Sequence, residues 1–232
     1  MSPDRPGTTE SPYSVDAGHY QVEIGAVWGR DSNGHQTTTT TSASVNVKLG
    51  LTDAIDVQAI LDPLVNIWVK DSSAGVNNSE TGVGDLTGRL KWNLWGDNGG
   101  QTAFALMPYL TLPTHSKKPN PDREVTGGLI APLSADLGDG WGLGVMLELD
   151  EVRNAANIGY VAQWVQSISV SHKIVGDLAG FAEVANIANG ERQTSGQAYF
   201  DVGMTLAFIP DIQFDTGVNL GLTSASDDVQ LS

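Results

Sequence analysis

The chain has 232 residues, of which 40% are hydrophobic and 17% charged, with 27 glycines, no cysteine and a formal net charge of −15. With 12 Lys+Arg against 27 Asp+Glu there is no basic patch to neutralise phosphates, which excludes a nucleic-acid partner. The lack of cysteine excludes disulfide scaffolds, thiolate zinc sites and iron–sulfur clusters, and no apolar run of about 18 residues offers a membrane-crossing helix.

The chain opens on a polar segment, residues 1–17, rich in Pro and Thr and without the apolar stretch of a secretory signal. From residue 18 onward, period-2 alternation replaces any helical period. It predicts about twelve strands, near 18–30, 38–51, 55–69, 83–95, 102–113, 124–137, 141–151, 158–173, 178–189, 196–208, 212–223 and 226–232. Most run to about ten residues or more, long for a soluble sheet and suited to a tilted strand crossing about 30 Å of hydrocarbon.

The connections alternate. Tight Gly/Asp/Pro turns fall at Thr52-Asp53-Ala54, Gly96 to Gly100, Gly138-Asp139-Gly140, Val175-Gly176-Asp177 and Pro210-Asp211. Longer polar loops are expected between them, at Asp31–Thr37, Lys70–Thr81, Thr114–Arg123, Val152–Asn157 and Gly190–Ser195. Short turns on one side and longer loops on the other are the habit of a transmembrane β-barrel, with the turns periplasmic. A soluble β-sandwich is the competing architecture, since it also alternates apolar and polar faces.

Each strand has two unlike faces. Tyr20, Trp28, Trp92, Trp141, Tyr160, Phe208 and Phe214 fall on the apolar face, mostly near strand ends, as an interfacial girdle requires. Pro63 and Pro108 share that face and remove ladder donors, so local irregularity is expected there. The opposite face carries Glu23, Lys48, Asp56, Asp62, Asp85, Arg89, Lys91, Glu148, Glu183, Asp201 and Asp215, the candidate lining of a polar lumen. Tyr109, Phe181 and Tyr199 are placed inward with them. Folding about Thr52-Asp53-Ala54 sets Lys48 opposite Asp56 and, through the next pair, Asp62 level with Arg89 and Asp56 near Lys91, which predicts an ion-pair ladder. A narrow wall richer in carboxylates than cations favours cations over anions.

No catalytic set emerges. His19, His35, His115 and His172 lie in loops or at strand ends, and Ser171 and His172 are adjacent, so in a strand they point to opposite faces. No nucleophile elbow, phosphate loop or metal motif stands in its required context. The chain is therefore read as no enzyme, with no cofactor and no metal.

Specific motifs support the barrel. Asp4-Arg5-Pro6-Gly7-Thr8-Thr9-Glu10-Ser11-Pro12, followed by Gly18 to Glu23, resembles the start of the outer-membrane transporters of the MetA-pathway of phenol degradation family. Leu49-Gly50-Leu51-Thr52-Asp53, Gly82-Val83-Gly84-Asp85-Leu86 and Leu110-Thr111-Leu112-Pro113-Thr114 resemble further elements of that family. The resemblance implies a bacterial outer-membrane barrel. It also implies a terminal aromatic strand, whereas the last strand here stops at Ser232, about half a strand short.

The expected architecture is thus an all-β, twelve-stranded antiparallel transmembrane barrel over residues 18–232. Residues 1–17 lie either in the periplasm or folded into the lumen as a plug. Its partners are the lipid bilayer and small solutes, and a monomer is favoured. The expected function is passive passage of small solutes, small aromatic compounds among them. The rival is a structural or surface-interaction barrel whose lumen is filled by side chains.

Overall fold

The computed structural model describes residues 3–114, 125–154, 158–191 and 195–232. Among these, every regular element is a strand: β1 Tyr20–Asn33, β2 Gln36–Thr52, β3 Ile55–Asp71, β4 Val76–Gly82, β5 Leu86–Trp95, β6 Thr102–Leu112, β7 Thr126–Gly138, β8 Trp141–Arg153, β9 Tyr160–Val175, β10 Leu178–Asn189, β11 Gln197–Ile209, β12 Ile212–Gly221 and β13 Val229–Leu231. Each pairs antiparallel with its neighbour in sequence. The ring closes through β13, which pairs Val229–Leu231 with Arg30–Trp28 of β1. β4 and β5 both pair with β3, β4 along Val65–Asp71 and β5 along Ile55–Leu61, so together they form one broken strand. The result is a closed barrel of twelve staves.

The long alternating sequences leave little freedom of register, because a one-residue slip would turn every apolar side chain inward. In β1 the side chains of Tyr20, Val22, Ile24 and Trp28 are exposed, while Gln21, Glu23, Gly25 and Val27 between them are half-buried. The same pattern continues around the ring, and all six tryptophans, at positions 28, 68, 92, 95, 141 and 164, are exposed on the outer surface. The greasy faces therefore point away from the barrel and do not pack on one another, which removes the sandwich alternative.

Turn chemistry fixes one rim. Between β7 and β8, Asp139 and Gly140 have φ of 51° and 81°, the double positive that a two-residue type I′ hairpin demands. On the other rim the expected loops at Asp31–Thr37 and Lys70–Thr81 are mostly ladder. β1 and β2 continue to Asn33 and Gln36, and β3 runs to Asp71 before β4 returns at Val76. The unbroken Thr37–Thr41 run supplies strand formers to β2, whereas Val76–Gly82 is ordered by its ladder to β3. The expected loops at Thr114–Arg123, Val152–Asn157 and Gly190–Ser195, with His115, lie wholly or partly outside the described residues.

Proline leaves its mark as expected. The β2–β3 register shifts between Ala43 and Val45, opposite the stretch containing Pro63. A second shift, between Gly50 and Thr52, shortens the turn to Asp53-Ala54; beyond it Gly50, not Lys48, stands opposite Asp56, and Lys48 stands opposite Gln58.

Candidate functional site

The inward face carries a polar belt. Successive registers place Lys48 beside Gln58, Gln58 beside Arg89, Arg89 beside Tyr109, Tyr109 beside Gly128 and Gly128 beside Asp150. One row away Asp56 lies directly across from Lys91, and on the far wall Glu183 lies across from Asp201. Lys48, Asp56, Lys91, Glu183 and Asp201 are all buried, although no strand packs over them.

What covers them is residues 3–17. Asp4 is the hub: Oδ2 lies 2.5 Å from Lys48 Nζ, while Oδ1 lies 2.7 Å from Lys91 Nζ and accepts the Ser11 N–H at 3.1 Å. The last bond closes residues 4–11 into a loop that crosses the barrel. At the far wall Thr8 and Thr9 donate their N–H groups to the two Glu183 oxygens at 2.6 and 2.9 Å, and the Thr9 hydroxyl meets Ser167 at 2.7 Å. Returning, Glu10 Oε2 takes the Arg89 guanidinium at 2.8 Å, and the Pro12 carbonyl accepts from Asn93 at 2.8 Å. Ser14 donates its N–H and hydroxyl to Asp97, and Val15 donates its N–H to Asp56 at 2.9 Å. Arg5 lies over β1, its Nε 3.7 Å from Asp215, where a Cβ at Gly25 would fall on the guanidinium.

Most of the residues placed on the lumen wall from sequence are gathered by this loop. Glu23 accepts the Asp4 N–H and pairs with Lys48 at 2.5 Å. Lys48, Lys91, Arg89, Asp56, Glu183 and Asp215 are engaged as above, and Asp201 accepts the Thr8 hydroxyl at 3.5 Å. Asp62 and Asp85 lie elsewhere, half-buried beside the break between β4 and β5, and Glu148 stands half-buried within electrostatic reach of Arg89 and Glu10. The strand-to-strand ladder of Lys48–Asp56 and Arg89–Asp62 does not form. Lys48 faces Gln58, two residues along β3 from Asp56, and the β3–β5 ladder ends at Leu61–Leu86, before Asp62. The cations pair with the N-terminal loop instead.

Sequence reasoning missed Asp4, Thr8, Thr9 and Glu10 as site residues. The available signal was a charge-bearing Pro/Thr segment whose residues 4–11 include, besides Pro6, no apolar side chain to pack elsewhere. It also missed an apolar cluster on the inner wall, where Met107, Ile130, Met146 and Val165 are buried together against Tyr109 and Ile187. The Glu10 N–H lies 3.5 Å from Met146 Sδ, so this cluster borders the loop.

Burial pushes the Asp4 carboxyl up, but the Lys91 and Lys48 charges outweigh it and hold Asp4 well below the usual carboxylate range. Glu10 goes the other way. Burial and the Asp4 charge push it up to about 7, against the pull of Arg89, Lys91 and Lys48. The loop leaves open a cavity of about 680 Å³, walled by Thr9–Tyr13 on one side and by small residues such as Ser134, Gly142, Gly144, Ser169 and Ser171 on the other, reaching the turn rim at Asp139 and Lys173.

The model of the family described as "Putative MetA-pathway of phenol degradation" matches residues 3–232. The fold is similar to the crystal structure of an outer membrane channel from Pseudomonas putida F1, with a TM-score of 0.67 and 18% identity over 98% of this chain and 96% of that one. It is also similar to the NanC porin, with a TM-score of 0.54 and 13% identity over 89% of this chain and 98% of that one. Among curated proteins none matches the sequence.

Proposed function

This chain belongs to the MetA-pathway of phenol degradation family, and from that premise we propose that it is a bacterial outer-membrane channel for passive passage of small solutes, with residues 3–17 as a removable constriction of its lumen. The observation that carries the reading is the contrast between the two faces of one wall. Outside, aliphatic and aromatic side chains are exposed all round, a surface that only lipid solvates well. Inside, buried charges meet a loop of the same chain through hydrogen bonds and ion pairs rather than apolar packing. Such contacts are remade by water when the loop leaves, which a side-chain-filled core does not allow.

The two similar solved structures, an outer membrane channel and a porin, support the passive, non-enzymatic reading and the outer-membrane location. The cargo is a small solute, small aromatic compounds among them, sized by the cavity beside the loop. The lumen wall is acid-rich, with Asp62, Asp85, Glu148, Asp150, Asp201 and Asp215, and biases the open lumen toward cations in simple salt.

Single-channel recording in planar bilayers tests the proposal. The folded protein, identified by a gel mobility that changes on boiling, is expected to give discrete, cation-biased conductance steps that flicker as the loop docks and leaves. A folded but electrically silent barrel would sink the channel reading and favour the structural one.

A further inference from the structure

The chain has only 12 Lys+Arg, yet three of them, Lys48 on β2 and Arg89 and Lys91 on β5, converge on one patch of the inner wall. Lys48 and Lys91 are 1% and 0% exposed, and the Arg89 side chain 11%. Every one of them is met by a carboxylate of the N-terminal loop, Lys48 and Lys91 by Asp4 and Arg89 by Glu10. From the strands, Glu23 also reaches Lys48, while Asp56 spends its oxygens on Val15 N–H and Gln58.

The Arg89 pairing is half-made. Nη1 meets Glu10 Oε2 at 2.8 Å, but Nε is buried with no hydrogen-bond partner. The Nε–H and Nη2–H edge of a guanidinium is a fork matched to both oxygens of one carboxylate, and Glu10 is held at Nη1 while Nε has no partner, so a carboxylate free to align itself makes a better partner than the tethered Glu10. The register puts Tyr109 directly beside Arg89, and Tyr109 borders the apolar cluster of Met107, Ile130, Met146 and Val165. A flexible methionine-containing surface adapts to varied apolar shapes. A cationic fork thus stands next to a dry apolar surface, and one loop shields both.

We propose that Lys48, Lys91 and Arg89 form a carboxylate-binding site for small organic acids with an apolar body, and that Asp4 and Glu10 occupy it as built-in surrogates while the loop is docked. The proposal rests on the channel reading and adds a cargo class to it. A carboxylate taking over Arg89 stabilises the undocked wall and leaves the docked one untouched, the differential affinity that shifts a two-state equilibrium. The surrounding Glu23, Asp56 and Glu148 repel bare inorganic anions, so the apolar body is part of what the site recognises.

The test is single-channel recording of the full chain with benzoate as the probe, set against benzyl alcohol, acetate and benzylammonium. Benzoate is expected to raise open-state occupancy at least tenfold more than benzyl alcohol or acetate at equal concentration. Arg89→Gln should lower that response tenfold or more, with folding checked by heat-dependent gel mobility. Glu10→Ala, which takes the tethered oxygen away from Arg89 and leaves the wall intact, should shift the response to lower benzoate concentration. Equal responses to benzoate and benzyl alcohol, a stronger response to benzylammonium, or a wild-type response from folded Arg89→Gln would each overturn the carboxylate site while the conductance steps kept the channel. Silence of wild type and Glu10→Ala alike, in folded protein, would remove both.

Discussion

Replacing Asp4 by Asn tests how the loop is held. Asp4 is the only carboxylate in ion-pair contact with Lys91 among the described residues, and Lys91 is 0% exposed. In Asp4→Asn the ammonium keeps only the Tyr13 carbonyl at 3.3 Å, whereas Lys48 keeps Glu23 at 2.5 Å. Removing one partner of a buried pair costs about 3–5 kcal/mol, and the surviving Glu23 contact places this case near the lower end, about 3 kcal/mol. The penalty falls on the docked state alone, because both lysines are rehydrated once the loop leaves. At about 1.4 kcal/mol per decade, the ratio of undocked to docked loop rises roughly a hundredfold. Open-state occupancy in single-channel records measures this ratio directly, and gel mobility before and after boiling verifies the barrel. Occupancy within threefold of wild type, in a folded barrel, would refute the idea that Asp4 anchors the loop.

Three further outcomes follow from the same geometry. Glu10, facing Arg89 and Lys91 of β5, Lys48 of β2, Glu148 of β8 and Asp4 of its own loop, has a docked value of about 7 against its ordinary 4.5, so between these the docked state holds the extra proton. Docking therefore weakens, and open-state occupancy climbs, as pH rises from 4.5 through 7, and Glu10→Gln should flatten that profile. Gly25→Val places a side chain on the Arg5 guanidinium, but the Arg5–Asp215 pair is long and partly exposed, worth about 0–1 kcal/mol, so occupancy should rise less than about fivefold. Leu147→Arg, on an outward position between Met146 and Glu148, puts a charge against lipid and should cost about 2–4 kcal/mol in urea titrations of the liposome-folded protein.

The barrel was legible because its physics is local. Alternation, turn chemistry and strand length are each written in consecutive residues, and expected and observed strand ends differ by only a few positions along most of the ring. The errors came from where local signals compete. Val76–Gly82 reads as loop because its Asn, Ser and Gly are turn formers, yet a ladder to β3 orders it. Met107, Ile130, Met146 and Val165 meet on the inner wall from four strands, and such convergence has no signature in one segment. The ladder failed on register: counting outward from Thr52-Asp53-Ala54 brings Lys48 to Gln58, two residues past Asp56, and that is where the structure holds it. The loop's partners were beyond reach for a similar reason: Thr8 and Glu183 are 175 positions apart.

A polar inner wall also dictates how any constriction within it has to be built. An apolar plug would keep Lys48, Lys91, Asp56 and Glu183 buried while taking away the partners the loop supplies, each at a cost of several kcal/mol. The segment is instead held by directional contacts between opposite charges and by N–H donors aimed at Glu183. Such contacts are strong only while water is kept out, because the same pair loses most of its attraction at high dielectric. Detaching one, at Glu10–Arg89 for example, admits water to its neighbours and weakens Asp4–Lys91 in turn. The loop should therefore leave and return as a unit, so the conductance should switch between two levels rather than drift through many.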